Sequence, residues 1–409
     1  MRSFLQVAFA VALFWAAGFS CQAQTSGQGD LAPARREIII SDIDRTVRQR
    51  FAHWQGTQGL DYDAAFTAFR ADALAAPDRM AFSRRARAFV AGLSNGHTAF
   101  HDPALYQGDP GGLGFSLTQL EDGWTVTRSR RPEVPAGSVI SALDGQPFDA
   151  FYSAVAPQLS ASSDRARRSA LSAFPSLFPL RFTLIFADGH TTDIDRSVPP
   201  SVAAPPPAAP MAHRWITPND VAYIKIATFS DPAAEREAQA TMRSLYGRAR
   251  IVILDVRGNG GGVTPSRLGR QSLGGDWRSW RSTAPTTPPD LRSRPRPVAP
   301  RYILLVDRNC ASACEDFAMP FSLSPKAILI GETTLGSSGQ PTHVEWEEGM
   351  QLWVGARRQW FPDGRPFEGV GVAPDIPVPL RPTDFTTGAT DRVIECAIRL
   401  SENPSATCA

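Results

Sequence analysis

The feature that most constrains this chain is a repeated order of apolar strand and helix between residues 211 and 382. Three apolar runs, IVILDV at 251–256, RYILLV at 301–306 and AILIGE at 327–332, have the composition of buried strands; one helical stretch precedes the first run and another separates the last two. Strands that are covered on both faces are apolar along their length, and strand–helix–strand order favours parallel pairing. We therefore predict a layered, mostly parallel α/β core.

The regions outside this core have other patterns. Ile39, Ile43 and Val47 recur four residues apart, which predicts an amphipathic helix, and two more helical stretches follow. Short strand patterns around EDG and ADG turns come next, and then a run too rich in proline for a helix or a central strand. The predicted parts are a signal peptide at 1–23, an N-terminal helical domain at 34–108, a small strand-rich domain at 110–198, a proline-rich linker at 199–210, the core domain at 211–382 and a C-terminal extension at 383–409.

The first residues are typical of a secretory signal. Arg2 precedes an apolar run that ends near Phe19, and small residues, Cys21 and Ala23, precede the predicted cut. Lipid attachment through Cys21 remains an alternative. After Ala23 no apolar run is long enough to cross a bilayer, so we expect a periplasmic or secreted protein without a transmembrane span in the mature chain. The net charge of +2 gives no indication of nucleic-acid binding.

An exported chain can form disulfides, and four cysteines follow the predicted cut. Cys396 and Cys408 are the pair expected to bond, because they close a short C-terminal loop. Cys310 and Cys314 could bridge each other, bridge elsewhere or stay reduced.

Ser312 is the first candidate for chemistry, in the stretch NCASACEDFA at 309–318. It follows a predicted buried strand and begins a predicted helix, where free backbone N–H groups favour developing negative charge. The same position suits a helix cap, which is the alternative interpretation. Cys314 is a second possible nucleophile, but two positions along a helix it would point elsewhere.

A glycine run at Gly260–Gly262 follows another predicted strand. Glycines allow backbone N–H groups to approach a ligand closely, and ligands of α/β sheets bind beyond the carboxyl ends of the strands. A phosphate-binding loop is the rival interpretation, but its lysine–serine/threonine ending is absent. A tight turn without function is the other alternative.

A serine nucleophile needs a base, and His97 is the best candidate because a glycine-bearing turn, SNG, presents it. His101 is the competitor. These two histidines form an HxxxH pattern without the glutamate of zinc peptidases, and the chain has no CxxC, so we expect neither a metal nor a cofactor. Glu368, among the glycines of PDGRPFEGVGVAPDI, is a candidate third residue; a surface carboxylate on a turn is the alternative.

Taken in order, these motifs resemble the carboxyl-terminal processing (tail-specific) serine peptidases. The resemblance rests on SNGHT, GLGF, GSVISALDGQP, LDVRGNGGG, SACE, GETTLG and PDGRPFEGVGVAPDI, and it covers most of the mature chain. It implies a ClpP/crotonase-like core preceded by a helical domain and a PDZ-like domain. It also implies a peptide-binding cradle in the PDZ-like domain, formed by Gly112, Leu113, Gly114 and Phe115.

The family uses two kinds of base. The tail-specific type has a lysine where this chain, in GETTLGSSG, has Ser337, and Lys225 and Lys326 stand elsewhere. The resemblance therefore points to the branch of the tricorn core protease, which uses a histidine and a glutamate. The matching positions are His97 and Glu368.

This branch implies a serine-peptidase mechanism, in which Ser312 attacks, His97 carries the proton and Glu368 supports the imidazolium. The implied oxyanion donors are backbone N–H groups of Gly261 or Gly260 and of Ala313. The tricorn type has a serine directly before the histidine, whereas this chain has Gly96. The contact between Glu368 and His97 could therefore be direct, through water or absent, and Asn95 is one conceivable substitute.

The function expected from this resemblance is that of a secreted serine endopeptidase. It would cleave unfolded or C-terminally exposed peptides, with the PDZ-like domain assisting recognition. A non-catalytic binding or scaffold relative is the alternative, because retinoid-binding proteins share this core. An esterase of the α/β-hydrolase type would need a GxSxG elbow, which CASAC does not supply. The sequence does not define the oligomeric state.

Overall fold

The computed structural model of this chain describes residues 30–57, 59–109, 111–274, 280–283 and 300–408. The predicted signal peptide at 1–23, with Cys21, lies outside the described residues. Within the described ranges, no helix combines the length and the apolar character that a bilayer crossing requires.

The N-terminal unit is helical, as its periodicity predicts. Ile39, Ile43 and Val47 are fully buried on one side of the first helix. The carboxylates of Asp61 and Asp78 accept backbone N–H groups at the starts of the second and third helices, which is ordinary N-capping. The elements are α1 (Pro33–Arg50), α2 (Tyr62–Leu74), α3 (Arg79–Ala91) and strand β1 (Ala99–His101).

The second unit is a small antiparallel sheet with two short helices. Its strand order is β2-β3-β4-β6-β7, with β5 paired to β4, so β2 is an edge strand. The elements are β2 (Phe115–Leu120), β3 (Gly123–Ser129), β4 (Val139–Leu143), β5 (Gln146–Pro147), α4 (Phe148–Val155), α5 (Asp164–Ala170), β6 (Arg181–Phe186) and β7 (Thr191–Asp195).

The core is built on a six-stranded sheet. The elements that follow the linker are β8 (Met211–Thr217), β9 (Val221–Ile226), α6 (Pro232–Leu245), β10 (Ile251–Asp255), α7 (Ser266–Leu273), β11 (Arg281–Ser282), β12 (Arg301–Val306), α8 (Ala313–Ser322), β13 (Ala327–Gly331), β14 (Pro341–Glu345), β15 (Gln351–Gly355), β16 (Gln359–Trp360), β17 (Ile376–Pro377) and α9 (Arg392–Glu402).

The strand order of this sheet is β17-β13-β12-β10-β9-β8, and every pair is parallel except β8 with β9. Helices α6, α7 and α8 pack on one face, and α9 packs on the other through Val393, Ala397 and Leu400. The predicted class, a layered and mostly parallel α/β core, is confirmed, and β8 adds an antiparallel edge.

A second, smaller sheet joins the core to the helical unit. Hairpin β14–β15 belongs to the core in sequence, yet β15 pairs with β1, and residues of the hairpin share a core with α1 to α3. The side chain of Thr98 accepts the N–H of Gly355 at 2.9 Å. The segment that carries His97 is therefore fixed against the core domain.

Candidate active site

Ser312 lies in the turn between β12 and α8, at the carboxyl end of the central sheet. Its backbone has a φ of +55°, an uncommon conformation for a residue with a side chain. A disulfide between Cys310 and Cys314 encloses the turn, with Cα atoms 5.3 Å apart, so these two cysteines are bridged rather than free. Such strain persists only where the surroundings hold it.

A buried carboxylate also holds this turn. The N–H of Ser312 donates to Oε2 of Glu315 at 3.2 Å and to the carbonyl of Ser337 at 2.9 Å. The same carboxylate accepts the N–H groups of Gly336 and Ser337 and the hydroxyl of Thr334. Burial raises the pKa of Glu315 to about 7, although these donors oppose the shift. Glu315 thus connects the Ser312 turn to residues 334–337.

The predicted glycine loop lies against Ser312. Gly261 has a φ of +106°, and a Cβ atom there would stand 3.0 Å from the nitrogen of Ala313, so only glycine allows this approach. The N–H of Gly261 donates to the side chain of Asn259 at 2.9 Å. Within the described part of the chain, the N–H groups of Gly260 and Ala313 donate to no protein atom. These two backbone groups are therefore free to donate to a ligand.

His97 is buried beside this turn, with 3% of its surface exposed. Its Nδ1 atom lies 3.0 Å from Oγ of Ser337. Its Nε2 atom is buried and has no hydrogen-bond partner among the described residues. Burial lowers the pKa of His97 to about 4, so the ring is neutral at pH 7. A neutral ring with one nitrogen anchored and the other unused is poised to accept a proton.

Glu368 lies near His97 but its hydrogen bonds go elsewhere. Its Oε1 accepts the Nδ2 amide of Asn95 at 2.7 Å and the hydroxyl of Ser162, and its Oε2 accepts the N–H of Ser338 at 3.3 Å. Burial raises the pKa of Glu368 to about 8. The carboxyl group is therefore mainly uncharged at neutral pH.

Two serine hydroxyls connect Glu368 to His97. Ser162 contacts Glu368 and lies 3.3 Å from Oγ of Ser337, which in turn contacts the imidazole. The N–H of Gly96 donates to Ser162 at 2.8 Å. A Cβ atom at position 96 would collide with Oγ of Ser337 and stand 3.3 Å from that of Ser162. These hydroxyls thus fill the space that a side chain at position 96 would need.

Sequence reasoning missed Ser162, and it noted Ser337 only as the residue in place of a lysine. Ser162 precedes α5 in SASSD, and its neighbour Ser163 caps that helix by accepting the N–H of Ala166. Either serine suits a cap, so the sequence carries no signal that Ser162 turns toward the site.

The other candidates lie away from this arrangement. Nζ of Lys225 donates to the carboxylate of Asp255 at 3.0 Å, and Lys326 stands directly before β13. The ring of His101 stacks on that of Tyr106, with centroids 5.3 Å apart. None of the three takes the place of His97.

The predicted peptide cradle is well packed. Leu113 and Phe115 are buried, and the carbonyl of Leu113 accepts Nε of Arg131 at 2.7 Å. Gly114 lies close to Pro200 of the proline-rich linker and to Arg131. The loop is therefore covered on one side by the linker. Strand β2, which begins at Phe115, is an edge strand, and the side chains of Ser172 and Arg308 donate to its carbonyls at Leu117 and Gln119.

A cavity of about 60 Å³ opens beside His97. Its walls come from all three units and are mainly apolar, and Gly96, Ala311 and Ser337 of the candidate site line it. Cys396 and Cys408, the pair expected to close the C-terminal loop, are bonded on the far face of the sheet, with Cα atoms 5.2 Å apart.

Comparison with known proteins relates this chain to peptidases. Residues 220–378 match the family model of peptidase family S41. The C-terminal processing peptidase of Tetradesmus obliquus chloroplasts is 29% identical over 197 residues, 45% of this chain and 40% of that protein. Carboxyl-terminal-processing peptidase 2 of Arabidopsis thaliana chloroplasts is 30% identical over 170 residues, 39% of this chain and 32% of that protein.

The resemblance to carboxyl-terminal processing serine peptidases is thereby confirmed, although the matched segment spans well under half of these relatives. The crystal structure of mature CPAF has the same fold. It superposes with a TM-score of 0.71 at 14% identity, over 92% of this chain and 99% of that one.

Proposed function

We propose that this chain is an exported serine endopeptidase that cleaves unfolded or C-terminally exposed polypeptides. The observation that carries the proposal is the state of His97: one ring nitrogen is anchored by Ser337, and the other is buried without a partner beside the turn that holds Ser312. Similarity to peptidase family S41 supports the same reaction. Export rests on the signal-like sequence at 1–23.

In this proposal, Ser312 Oγ attacks the scissile carbonyl and its proton moves to Nε2 of His97. The tetrahedral oxyanion forms next to the N–H groups of Gly260 and Ala313, which are the available donors. Collapse gives an acyl-enzyme, and His97 returns the proton to the leaving amine; water then repeats the sequence. Removing one oxyanion donor typically costs about a hundred- to a thousandfold in rate.

The hydroxyls of Ser337 and Ser162 hold the imidazole in the required tautomer. Nδ1–H of His97 donates to the hydroxyl of Ser337. The hydroxyl of Ser162 accepts the N–H of Gly96, and its single proton is shared between Ser337 and the carboxyl group of Glu368. These contacts connect His97 to Glu368 through two hydroxyl groups. Glu368 therefore supports the positive charge of the imidazolium without touching the ring.

The small antiparallel domain is proposed to assist recognition in the manner of a PDZ domain. A peptide strand would add to its edge strand β2, which begins at Phe115, and would replace the side chains of Ser172 and Arg308 that donate to the carbonyls of Leu117 and Gln119.

The decisive test compares wild type with Ser312→Ala on an unstructured protein such as casein and with a fluorophosphonate probe. We expect wild type to degrade casein and to be labelled at Ser312, and the variant to do neither. Lys326→Ala serves as the control and should keep full activity. Equal degradation by wild type and Ser312→Ala would refute the proposal. No labelling and no degradation by a folded wild type would instead support the non-catalytic alternative.

A further inference from the structure

Arg87 is a buried cation next to the candidate site. It lies on α3 with 5% of its surface exposed, and it lines the cavity that His97 and Ser337 also line. Arginine side chains are almost never fully buried unless they are paired with an opposite charge. The groups that contact this guanidinium therefore decide whether its charge is balanced.

The protein supplies Arg87 only with neutral partners. Nε donates to the side-chain oxygen of Gln158 at 3.0 Å, and the hydroxyl of Tyr106 makes a second hydrogen bond. Nη1 is buried with no hydrogen-bond partner, and no carboxylate of the described residues forms an ion pair with Arg87. Desolvation lowers the pKa of Arg87, but a guanidinium stays protonated in proteins.

A buried charge without a counter-charge is costly, because the guanidinium loses its hydration and the protein supplies no opposite charge in return. A ligand that carried the missing anion would remove this cost. A carboxylate matches best, because its two oxygens can accept two parallel N–H groups of the guanidinium.

The cavity has the size and walls for such a group. A volume of about 60 Å³ corresponds to roughly four water molecules. Apolar side chains, among them Phe100, Ala166 and Phe174, form most of the wall, so a carboxylate on a short apolar stem would fill it. Because His97 lines the same cavity, a group bound there would belong to a residue near the scissile bond.

We propose that Arg87 binds a carboxylate of the substrate, either the C-terminal carboxylate or the side chain of an aspartate or glutamate, in the cavity beside His97. This subsite rests on the proposed peptidase function and specifies which substrates it prefers. It places substrate selection in the catalytic cavity itself, in addition to any contribution from the antiparallel domain.

The test uses fluorogenic peptides in matched pairs: a free C-terminus against a C-terminal amide, and internal glutamate against glutamine. We expect wild type to prefer one carboxylate-bearing member by about 10- to 100-fold in kcat/KM, the range of a charge-assisted hydrogen bond. Which pair shows the preference identifies the source of the carboxylate. Arg87→Met should abolish that preference while neutral peptides are still cleaved.

Arg84→Met is the matched control, because Arg84 is exposed on the same helix, and it should keep the preference. Arg87→Lys keeps the charge but lacks the two parallel N–H donors of a guanidinium, so it should retain part of the preference. Equal cleavage within both pairs by wild type, or a preference that survives in Arg87→Met, would overturn the subsite.

Binding separates this proposal from the peptidase proposal. In the Ser312→Ala background, fluorescence anisotropy should show tighter binding of the preferred carboxylate peptide, and the difference should vanish when Arg87→Met is added. If wild type cleaves no peptide, the catalytic proposal fails while this binding difference still decides the role of Arg87.

Discussion

The Nδ1 atom of His97 lies 3.0 Å from the hydroxyl of Ser337, the residue that stands where tail-specific peptidases carry a lysine. In the proposed mechanism, Ser337 orients the base instead of supplying it. The same loop contacts the Ser312 turn, because the carbonyl of Ser337 accepts the N–H of Ser312 at 2.9 Å.

Removing the Ser337 hydroxyl tests this orienting role. Ser337→Ala leaves Nδ1 of His97 without an acceptor, so the ring can rotate or adopt the wrong tautomer. We expect kcat to fall about 10- to 100-fold with KM nearly unchanged, because misplacing a catalytic group affects the reacting geometry more than binding. Steady-state kinetics on a fluorogenic peptide measures both constants.

Ser338→Ala is the matched control, since Ser338 contacts Glu368 through its backbone N–H, which the substitution keeps. A wild-type kcat in Ser337→Ala would contradict the orienting role. A large rise in KM in place of the fall in kcat would contradict it as well.

Gly96 is expected to be intolerant of even one methyl group. Gly96→Ala places a Cβ atom against Ser337 Oγ, and such overpacking typically costs about 1–3 kcal/mol. We expect a lower free energy of unfolding and a lower kcat. In the double variant with Ser337→Ala, the stability cost of Gly96→Ala should shrink, because the colliding hydroxyl is gone. Denaturant unfolding of both single variants and the double variant measures this coupling, and strict additivity would rule out the shared space.

Glu368 predicts an unusual dependence of activity on pH. Its pKa is raised to about 8 by burial, so it is uncharged below that pH and charged above it. His97, with a pKa of about 4, is already neutral throughout this range. Because only the charged form of Glu368 stabilises the imidazolium, kcat/KM should rise roughly tenfold between pH 7 and pH 9. A pH–rate profile measures the rise, which Glu368→Gln should abolish.

Other groups facing Glu368 are His53, whose pKa is lowered to about 3, together with Arg358 and the buried Glu315.

The dependence of the free energy of unfolding on pH gives a second test of Glu368. A carboxyl group whose folded pKa exceeds its unfolded value stabilises the fold at low pH, and this contribution is lost as pH rises through about 8. Wild type should therefore lose stability relative to Glu368→Gln between pH 5 and pH 9. A parallel course of the two unfolding curves would show that the carboxyl group is not buried as described.

The disulfide around Ser312 is expected to serve catalysis as well as stability. Cys310→Ala with Cys314→Ala removes the bond that encloses a backbone at φ +55°, so the turn can relax. We expect at least about a tenfold lower kcat/KM, with a loss of unfolding free energy near 2 kcal/mol for so short a loop. Enzyme kinetics and thermal unfolding measure the two effects.

Cys396→Ala with Cys408→Ala removes the other disulfide, on the opposite face of the sheet. This control should lower stability and leave kcat/KM unchanged. If both double variants retain full activity, the bond around Ser312 has no positioning role.

Local patterns predicted most of the regular elements. The spacing of Ile39, Ile43 and Val47 predicted α1, and the apolar runs predicted β10, β12 and β13, because each pattern reflects burial of one element. Hairpin β14–β15 was not predicted to pair with β1, since that contact joins segments some 250 residues apart whose partners no local pattern specifies.

The candidate site was predictable in its residues but not in its connections. Motif order suggested Ser312, His97 and Glu368, yet the link between the last two passes through Ser162, whose sequence context suits an ordinary cap equally well. Hydroxyl networks depend on side-chain directions in three dimensions. Gly96 appeared in the sequence as a missing serine, and only the packing around it shows that the space is filled from elsewhere.

The hydrogen bonds around Glu368 join segments of the chain that leave the ribosome at very different times. Asn95 and Glu368, which share a hydrogen bond, are separated by 273 positions, and Ser162 comes from a third unit between them. A ribosome releases the histidine long before the glutamate. In the proposed mechanism, His97 therefore lacks its connection to Glu368 through the two hydroxyls until nearly the whole polypeptide has emerged and folded, and a nascent chain would not cleave itself or its neighbours.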